Sequence, residues 1–321
     1  MKHVGEGGWA HALTGRSTIV ALAVLLALAG CRPRSNASNR STRGEPAAVS
    51  TAAVPTPTKS FAEMRAAHRT HLLVHGPSPQ EYEPWPRSGA AKVVTYSSSG
   101  LTLKGLYSPA ANASLTRAAG APLLVYLHGG YALGADDVDA CDPFADAGFA
   151  IWTPALRGEN GNPGEFEHGY GELDDAKAAV AFGRALPGID PARVFVFGHS
   201  AGGMLAGLVS LSAEPKVAYT GSAGGTYLPD LFDHTTFPFQ DTPEERLLRS
   251  FASFPADIQQ SHFACVGTED VLVLRGAANL ERTSVPGRTA VVEVRRMPGT
   301  HHTSLPGCMS AYLEKVLPLA R

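Results

Sequence analysis

One serine of the sequence lies between glycines, where an apolar segment gives way to a helical one. Residues 198–203 are Gly-His-Ser-Ala-Gly-Gly, after an apolar run at 194–197 and before a helical pattern at 204–208. A sharp strand-to-helix turn raises the serine hydroxyl above the sheet. Small residues are needed on both sides because larger side chains would collide with the strand and the helix. The context predicts that Ser200 is a nucleophile rather than an ordinary serine in a glycine-rich turn.

The segments around this serine alternate between strand and helix patterns. Two alternating stretches, 92–97 and 101–107, are separated by Ser-Ser-Gly and predict an antiparallel hairpin. Six short apolar runs follow, at 123–127, 149–152, 194–197, 217–219, 262–266 and 290–294. Helical patterns lie between or after them, at 137–147, 172–186, 201–212, 243–254, 274–283 and 305–317. This order predicts one α/β domain with a mostly parallel central sheet, the N-terminal antiparallel hairpin, and helices on both faces.

The order and motifs resemble the α/β-hydrolase fold, in particular the catalytic domains of prolyl oligopeptidase-like and dienelactone hydrolase-like enzymes. The resemblance covers about residues 93–317. It is carried by the Gly-x-Ser-x-Gly turn, by Asp-Pro-Ala-Arg-Val at 190–194 before it, and by Leu-Arg-Gly at 156–158. It implies a serine hydrolase in which a base takes the serine proton and an acid orients the base, in the chain order serine, acid, histidine.

Two further motifs of this family nominate the acid and the base. The family's Gly-x-x-Asp turn matches residues 267–270 and nominates Asp270, with Glu269 as the alternative acid. The family's Pro-Gly-x-x-His loop matches residues 298–302 and nominates His302, with His301 as the alternative base.

The resemblance also implies backbone donors for the oxyanion of a tetrahedral intermediate. Ala201, directly after the nucleophile, supplies one N–H group. The second comes from Gly130 or Tyr131, in the loop after the 123–127 run. His128 matches the family's structural histidine before the glycines, so we assign it to loop scaffolding rather than to proton transfer.

Some features depart from both enzyme groups. Without a 30-residue signal, 321 − 30 = 291 residues leave no room for the propeller of prolyl oligopeptidases. Asp270 is followed by Val-Leu-Val, without the arginine that those peptidases often carry there, and dienelactone hydrolases use cysteine where Ser200 stands. We therefore expect cleavage of an ester or a short peptide or amide, with no cofactor or metal. The alternatives are a non-catalytic lipoprotein that uses the fold as a binding scaffold and a metal-dependent hydrolase.

The N-terminal region is typical of an export signal. Residues 18–29 form an apolar run of 12 behind Lys2 and Arg16, shorter than the roughly 20 residues that span a bilayer. Leu-Ala-Gly-Cys at 28–31 resembles the bacterial lipoprotein cleavage box. It implies a signal peptide over residues 1–30 and a lipid on Cys31, with an ordinary secretory signal as the alternative. We expect a lipid-anchored protein of the bacterial cell envelope, in the outer rather than the inner membrane, because Arg32 and not aspartate follows the cysteine.

Composition and periodicity divide the rest of the chain. Residues 31–59 are rich in Ser, Thr, Asn, Pro and Ala and predict a flexible tether. Residues 60–91 predict a helix at 61–74 and a Pro-rich extension, and 92–321 the catalytic domain, in which 226–257 could form a cap. Three histidines of the predicted helix share one face and are expected to be a solvated stripe rather than a metal site: His68, His71 and His75.

Charge and cysteine content narrow the function classes. The chain is 44% hydrophobic with a formal net charge of −2, which excludes a disordered chain and argues against nucleic-acid binding. Export permits disulfides. Besides Cys31, the chain carries three cysteines, so not all can pair internally; the pairing to test is Cys265 with Cys308, and otherwise these two and Cys141 are small buried hydrophobes.

Overall fold

The computed structural model describes residues 57–82, 85, 91–228, 237–283 and 290–321. The predicted signal peptide, Cys31 and most of the tether lie outside the described residues. Within the described part of the chain, no helix combines the length and the apolar character needed to cross a membrane.

One eight-stranded sheet organises the described residues. Its strands are β1 (Lys92–Ser98), β2 (Leu101–Ser108), β3 (Ala121–Leu127), β4 (Ala150–Pro154), β5 (Ile189–His199), β6 (Tyr219–Ala223), β7 (His262–Gly267) and β8 (Val292–Met297). They lie in the order β1-β2-β4-β3-β5-β6-β7-β8. β2 pairs antiparallel with β1 and with β4, and all other pairs are parallel. This confirms the predicted mostly parallel sheet with an antiparallel N-terminal hairpin.

Helices cover both faces of this sheet. They are α1 (Phe61–Ala67), α2 (Ala135–Asp139), α3 (Asp142–Ala147), α4 (Gly171–Arg184), α5 (Ser200–Ser210), α6 (Pro243–Leu247), α7 (Leu274–Thr283) and α8 (Leu305–Ala320). Successive side chains of a strand point to opposite faces. In β3, Leu123, Val125 and Leu127 accordingly join a core with α4 and α5, whereas Leu124 and Tyr126 join a second core with α3 and α8.

The N-terminal helix is shorter than predicted. α1 begins with Ser60 as its capping residue and ends at Ala67, not at residue 74, because the backbone of His68 is extended. Beyond it, Leu72 forms a β-bridge with Phe239, and the N–H groups of residues 73 and 74 both donate to the Pro238 carbonyl. Pairing with a distant segment replaces the helical bonds, so the three histidines predicted on one helical face share no such face.

The region predicted as a possible cap packs partly into the domain. Of residues 226–257, the structure describes 226–228 and 237–257, which contain α6 and two short 3-10 turns. Phe251 and Phe254 belong to the same core as α4 and α5. The predicted helix 243–254 is reduced to α6, because Phe251 and Phe254 enter the core from 3-10 turns.

Candidate active site

The turn between β5 and α5 presents Ser200 at the carboxyl edge of the sheet. Ser200 is the first residue of α5 and has φ +53°, a left-handed conformation that is unfavourable for a residue with a side chain. A Cβ on Gly198 would lie 2.1 Å from the Gly202 carbonyl oxygen, and one on Gly202 would lie 2.0 Å from the Leu127 carbonyl oxygen. Only glycine fits at these two positions, so the spacing of the motif follows from backbone contact.

A histidine and an aspartate extend from this serine in one hydrogen-bonded chain. His301 Nε2 lies 2.9 Å from Ser200 Oγ, and His301 Nδ1 lies 2.7 Å from Asp270 Oδ2. Asp270 follows β7 and its side chain is 1% exposed, whereas His301 follows β8 and is 16% exposed. Adjacent parallel strands thus bring the acid and the histidine to one edge of the sheet. The alternative acid, Glu269, is exposed and joins this chain through neither carboxylate oxygen.

The histidine in this chain is His301 and not the predicted His302. The loop tightens after Gly299: the Ser304 N–H donates to the Thr300 carbonyl, and the Leu305 N–H to the His302 carbonyl. This turn points the first histidine at the serine and leaves His302 exposed, its ring centroid 5.1 Å from that of His301. Counting from Pro-Gly selected the wrong neighbour, because the count carries no information about the direction of each side chain.

His199 lies in the turn of residues 198–203, which is called the nucleophile turn below because the sequence predicts Ser200 as a nucleophile. It contacts the loop of residues 298–304, the histidine loop. Its Nε2 lies 3.2 Å from the His301 carbonyl oxygen, and since a carbonyl only accepts, this nitrogen carries the proton. Burial, and next the charge of His301, lower the pKa of His199 to about 4. Sequence reasoning missed this residue, because its only signal is its place in Gly-x-Ser-x-Gly.

The turn after β6 supports both halves of the site and was also missed. The Thr226 N–H donates to the Ser200 carbonyl at 3.3 Å. A Cβ on Gly224, which has φ +54°, would lie 3.0 Å from His301 Nδ1. Two glycines in Ala-Gly-Gly-Thr at 223–226 were the available signal.

The predicted oxyanion residues line one pocket. Gly130, Tyr131 and Ala201 surround it together with Phe166, His168, Met204 and seven further residues of α4, α5 and the preceding loops. Ala201 lies in the first turn of α5, where N–H groups have no intrahelical acceptor. The Tyr131 N–H donates to Gln80 Oε1 at 2.8 Å, whereas the Gly130 N–H has no acceptor within the described residues. Of the two alternatives, Gly130 is therefore the one whose N–H remains unpaired.

His128 joins this loop to a neighbouring loop through Glu159. Its Nε2 lies 3.0 Å from Glu159 Oε2, which also accepts the Leu156 N–H. Burial alone would lower the pKa of His128, but the charge and hydrogen bond of Glu159, together with the charge of Asp137 and the bond to Gly129, outweigh burial and raise the pKa to about 9. The arrangement is a buried ion pair that joins two loops, at the position assigned to scaffolding.

A disulfide joins the segments that carry the acid and the histidine. Cys265 in β7 is bonded to Cys308 in α8, which confirms the predicted pairing, and Cys141 is a buried free thiol. Cys265 precedes Asp270 by five residues and Cys308 follows His301 by seven. The bond therefore ties β7, which precedes Asp270, to α8, which follows His301.

Comparison with known proteins gives a family and two kinds of neighbour. The model of the Alpha/beta hydrolase family matches residues 124–310. A curated relative, the uncharacterized peptidase YtmA of Bacillus subtilis (strain 168), is 28% identical over 133 residues, which cover 41% of this chain and 50% of that protein. The chain thus matches half the length of this relative.

Solved structures share the fold at low identity. Pyrococcus horikoshii acylaminoacyl peptidase has a TM-score of 0.57 at 18% identity, over 72% of this chain and 41% of that one. The Pyrococcus furiosus esterase Pf2001 has a TM-score of 0.59 at 16% identity, over 76% of this chain and 98% of that one. Because the family model matches more than half of this chain, the chain belongs to the alpha/beta hydrolase family.

Proposed function

We propose that the protein is a serine hydrolase that cleaves an ester or a short peptide or amide bond through an acyl-enzyme on Ser200. The observation that carries the proposal is the hydrogen-bonded chain from Asp270 through His301 to Ser200. A serine hydroxyl is a weak nucleophile at neutral pH unless an adjacent base takes its proton and a third group orients that base. The distances of 2.7 and 2.9 Å meet this requirement in full.

The geometry supports a two-step mechanism. Ser200 Oγ attacks the substrate carbonyl carbon while its proton passes to His301 Nε2, and Asp270 stabilises the resulting imidazolium through Nδ1. The carbonyl oxygen, now negative, accepts hydrogen bonds from the N–H groups of Ala201 and Gly130. Collapse expels the alcohol or amine, which takes the proton from His301. Water then attacks the acyl-enzyme, with His301 taking its proton, and collapse releases the carboxylic acid as His301 returns that proton to Ser200 Oγ.

The pocket beside the oxyanion donors is largely apolar, apart from Glu172 and the paired His128 and Glu159, and this supports a small, neutral group on the substrate. Tyr131, Phe166 and Met204 line it with His168, whose pKa is lowered to about 3 by burial and then by the positive charge of Arg249. His168 is therefore uncharged at neutral pH. The relatives include a peptidase and an esterase, and both bond types proceed through the same acyl-enzyme.

Labelling of the serine tests the proposal. Folded wild-type protein is treated with a fluorophosphonate probe, and the modified residue is identified by peptide mass spectrometry. We expect one adduct, on Ser200, and none in Ser200→Ala. Wild-type protein that stays unlabelled would favour the non-catalytic scaffold. A panel of p-nitrophenyl esters beside aminoacyl p-nitroanilides then separates esterase from peptidase activity.

The cell-envelope location is part of the proposal and depends on the sequence alone. The cleavage box at 28–31 supports a lipid on Cys31, which would hold the domain at a membrane through the tether. Metabolic labelling with an alkyne fatty acid should mark the wild-type protein and not Cys31→Ser. Equal labelling of the two proteins would refute the anchor.

A further inference from the structure

The segment between α1 and the sheet crosses the catalytic edge. This strap, residues 68–82, contacts three loops of the hydrolase domain in succession. Its Leu72 pairs with Phe239, and its Gly76 carbonyl accepts the Phe166 N–H at 2.9 Å. The strap is therefore fixed along the domain before it reaches the loop after β3.

At that loop the strap holds a single residue from both sides. Ser78 Oγ donates to the Tyr131 carbonyl at 2.6 Å, and Gln80 Oε1 accepts the Tyr131 N–H at 2.8 Å. The Ser78 hydroxyl is itself held in place, because the backbone N–H of Gln80 donates to Ser78 Oγ at 3.2 Å. The Ser78 N–H in turn donates to the Gly158 carbonyl at 3.0 Å, which ties the pair to a neighbouring loop.

The clamped residue is the direct neighbour of the unpaired oxyanion donor. Gly130 has φ +63°, and a Cβ added to it would lie 2.6 Å from Gln80 Oε1, so the carboxamide packs directly on this glycine. Glycine tolerates many conformations, and its peptide stays in one orientation only when neighbouring groups fix it. The Tyr131 N–H is near the surface, where water could also satisfy it. The contact from Gln80 therefore fixes the orientation of the Tyr131 N–H rather than supplying an acceptor to a buried donor.

We propose that Gln80, with Ser78, is a positioning residue for the oxyanion hole, which fixes the Tyr131 backbone and thereby aims the Gly130 N–H. This inference rests on the proposed serine hydrolase function. It assigns a catalytic consequence to an N-terminal segment that carries none of the family's motifs. Oxyanion donors act only when preorganised toward the developing charge, and displacement of about 1 Å can cost roughly 100-fold in rate.

An opposite reading, in which Gln80 occupies the oxyanion site and blocks it, fits the surroundings less well. Gln80 lines a surface cavity with Gly129 and residues 132–137. The pocket that contains Ala201 includes Gly130 and Tyr131 but not Gln80. The carboxamide therefore lines a different cavity from the one that contains Ala201. Blocking and positioning also predict opposite changes in rate.

The test compares three strap variants with the wild-type protein, all as the full chain. It begins once Ser200 labelling and ester turnover have been established for the wild-type protein. Gln80→Ala removes the acceptor, Gln80→Glu keeps an oxygen there, and His75→Ala alters an exposed strap residue that pairs with Glu165 instead. We expect Gln80→Ala to lower kcat about 10-fold with KM within about 3-fold, because a contact effective only in the transition state changes kcat. Gln80→Glu should restore most of the rate, and His75→Ala should resemble wild type.

Backbone amide exchange supplies a readout that is independent of turnover. In Gln80→Ala the Tyr131 amide should exchange faster than in wild type, with an unchanged melting temperature. The inference is overturned if Gln80→Ala keeps the wild-type kcat, if its kcat/KM rises as blocking predicts, or if His75→Ala loses as much rate. Wild-type protein without labelling or turnover would instead overturn the proposed function, before any variant is measured.

Discussion

The turn that carries Ser200 and the loop that carries His301 hold their side chains in different ways. In the nucleophile turn, buried backbone atoms touch with no room for a Cβ at Gly198 or Gly202. In the histidine loop, residues 298–304, backbone bonds form the turn, and the exposed hydroxyls of Thr300 and Thr303 and the ring of His199 add side-chain bonds. The first conformation is fixed by close backbone contacts, and the second depends in part on side-chain bonds.

This difference predicts how each turn responds to substitution. A tightly packed backbone fails completely when one atom is added, since nothing flexible can move aside. A loop held by several weak side-chain bonds loses them one at a time. Substitutions in the nucleophile turn should therefore affect folding, and those in the histidine loop should affect rate.

The largest effect is expected from Gly202→Ala. Its Cβ would lie 2.0 Å from the Leu127 carbonyl oxygen and 2.4 Å from that of His128, both backbone atoms. We expect a loss of more than about 4 kcal/mol in the free energy of unfolding, or failure to fold, because α5 would have to move away from the end of β3. Denaturant unfolding and fluorophosphonate labelling measure both consequences.

Gly134→Ala is the matched control for this substitution. Gly134 has a negative φ of −110°, and the nearest atom to an added Cβ is Asp137 Oδ2 at 3.5 Å, an ordinary contact. Its stability should change by about 1 kcal/mol or less. If Gly202→Ala were tolerated equally well, the nucleophile turn would not be the rigid element described above.

The second largest effect separates the two adjacent histidines. Because only His301 contacts Ser200 and Asp270, His301→Ala should lower kcat by roughly 10⁴-fold or more. His302→Ala should stay within about 5-fold of wild type, since it removes an exposed ring from the same loop. Both rates are measured on one p-nitrophenyl ester with stability as the control. A larger loss in His302→Ala would contradict the assignment of His301.

These two turns also show which parts of the site could be predicted from the sequence. The nucleophile turn, the hairpin and the parallel strands were predictable because steric exclusion and apolar runs are local signals. β6 was predicted at 217–219 but runs from Tyr219 to Ala223. Its small and polar residues gave no apolar signal: the hydroxyls of Thr220 and Ser222 bond the buried ring of His262 instead.

The remaining misses have the same cause. Which histidine faces the serine depends on the turn that follows Gly299, and the clamp on Tyr131 depends on Gln80, 51 residues earlier. α1 ends at Ala67 because a strand-like contact with Phe239 replaces further helix. The last two contacts join segments far apart in sequence, and the first depends on the direction of a side chain, so neither periodicity nor spacing carries a signal for any of them.

A smaller effect is expected from pH, through the histidine that joins the two turns. The pKa of His199 is lowered to about 4 in the folded protein, with His301, His302 and Asp270 facing it, against about 6.5 when unfolded. Between these values the unfolded state binds more protons, so stability falls as pH falls from about 6.5 towards 4. His199→Gln keeps an N–H donor but does not titrate.

Comparison of this variant with wild type isolates the contribution of His199. Denaturant unfolding from pH 4 to 8 should show an acid limb shallower by up to about 1.4 kcal/mol per pH unit, the value for one proton. His262 and His168, with pKa values lowered to about 3, and Glu172, with a pKa raised to about 8, titrate equally in both proteins. Parallel acid limbs would show that His199 does not bridge the turns as a neutral ring.

The smallest effect is expected within the histidine loop itself. Thr303 Oγ1 accepts the Thr300 N–H at 2.8 Å, next to His301. Thr303→Val keeps the shape and removes the hydroxyl, which should cost roughly 0.5–1.5 kcal/mol of loop order and lower kcat about 2- to 5-fold. Thr303→Ser, which retains the oxygen, should restore the rate. If Thr303→Val unfolded the protein as Gly202→Ala is expected to do, the histidine loop would be as rigid as the nucleophile turn. A graded loss that serine reverses would instead place the adjustable part of the site at the histidine loop.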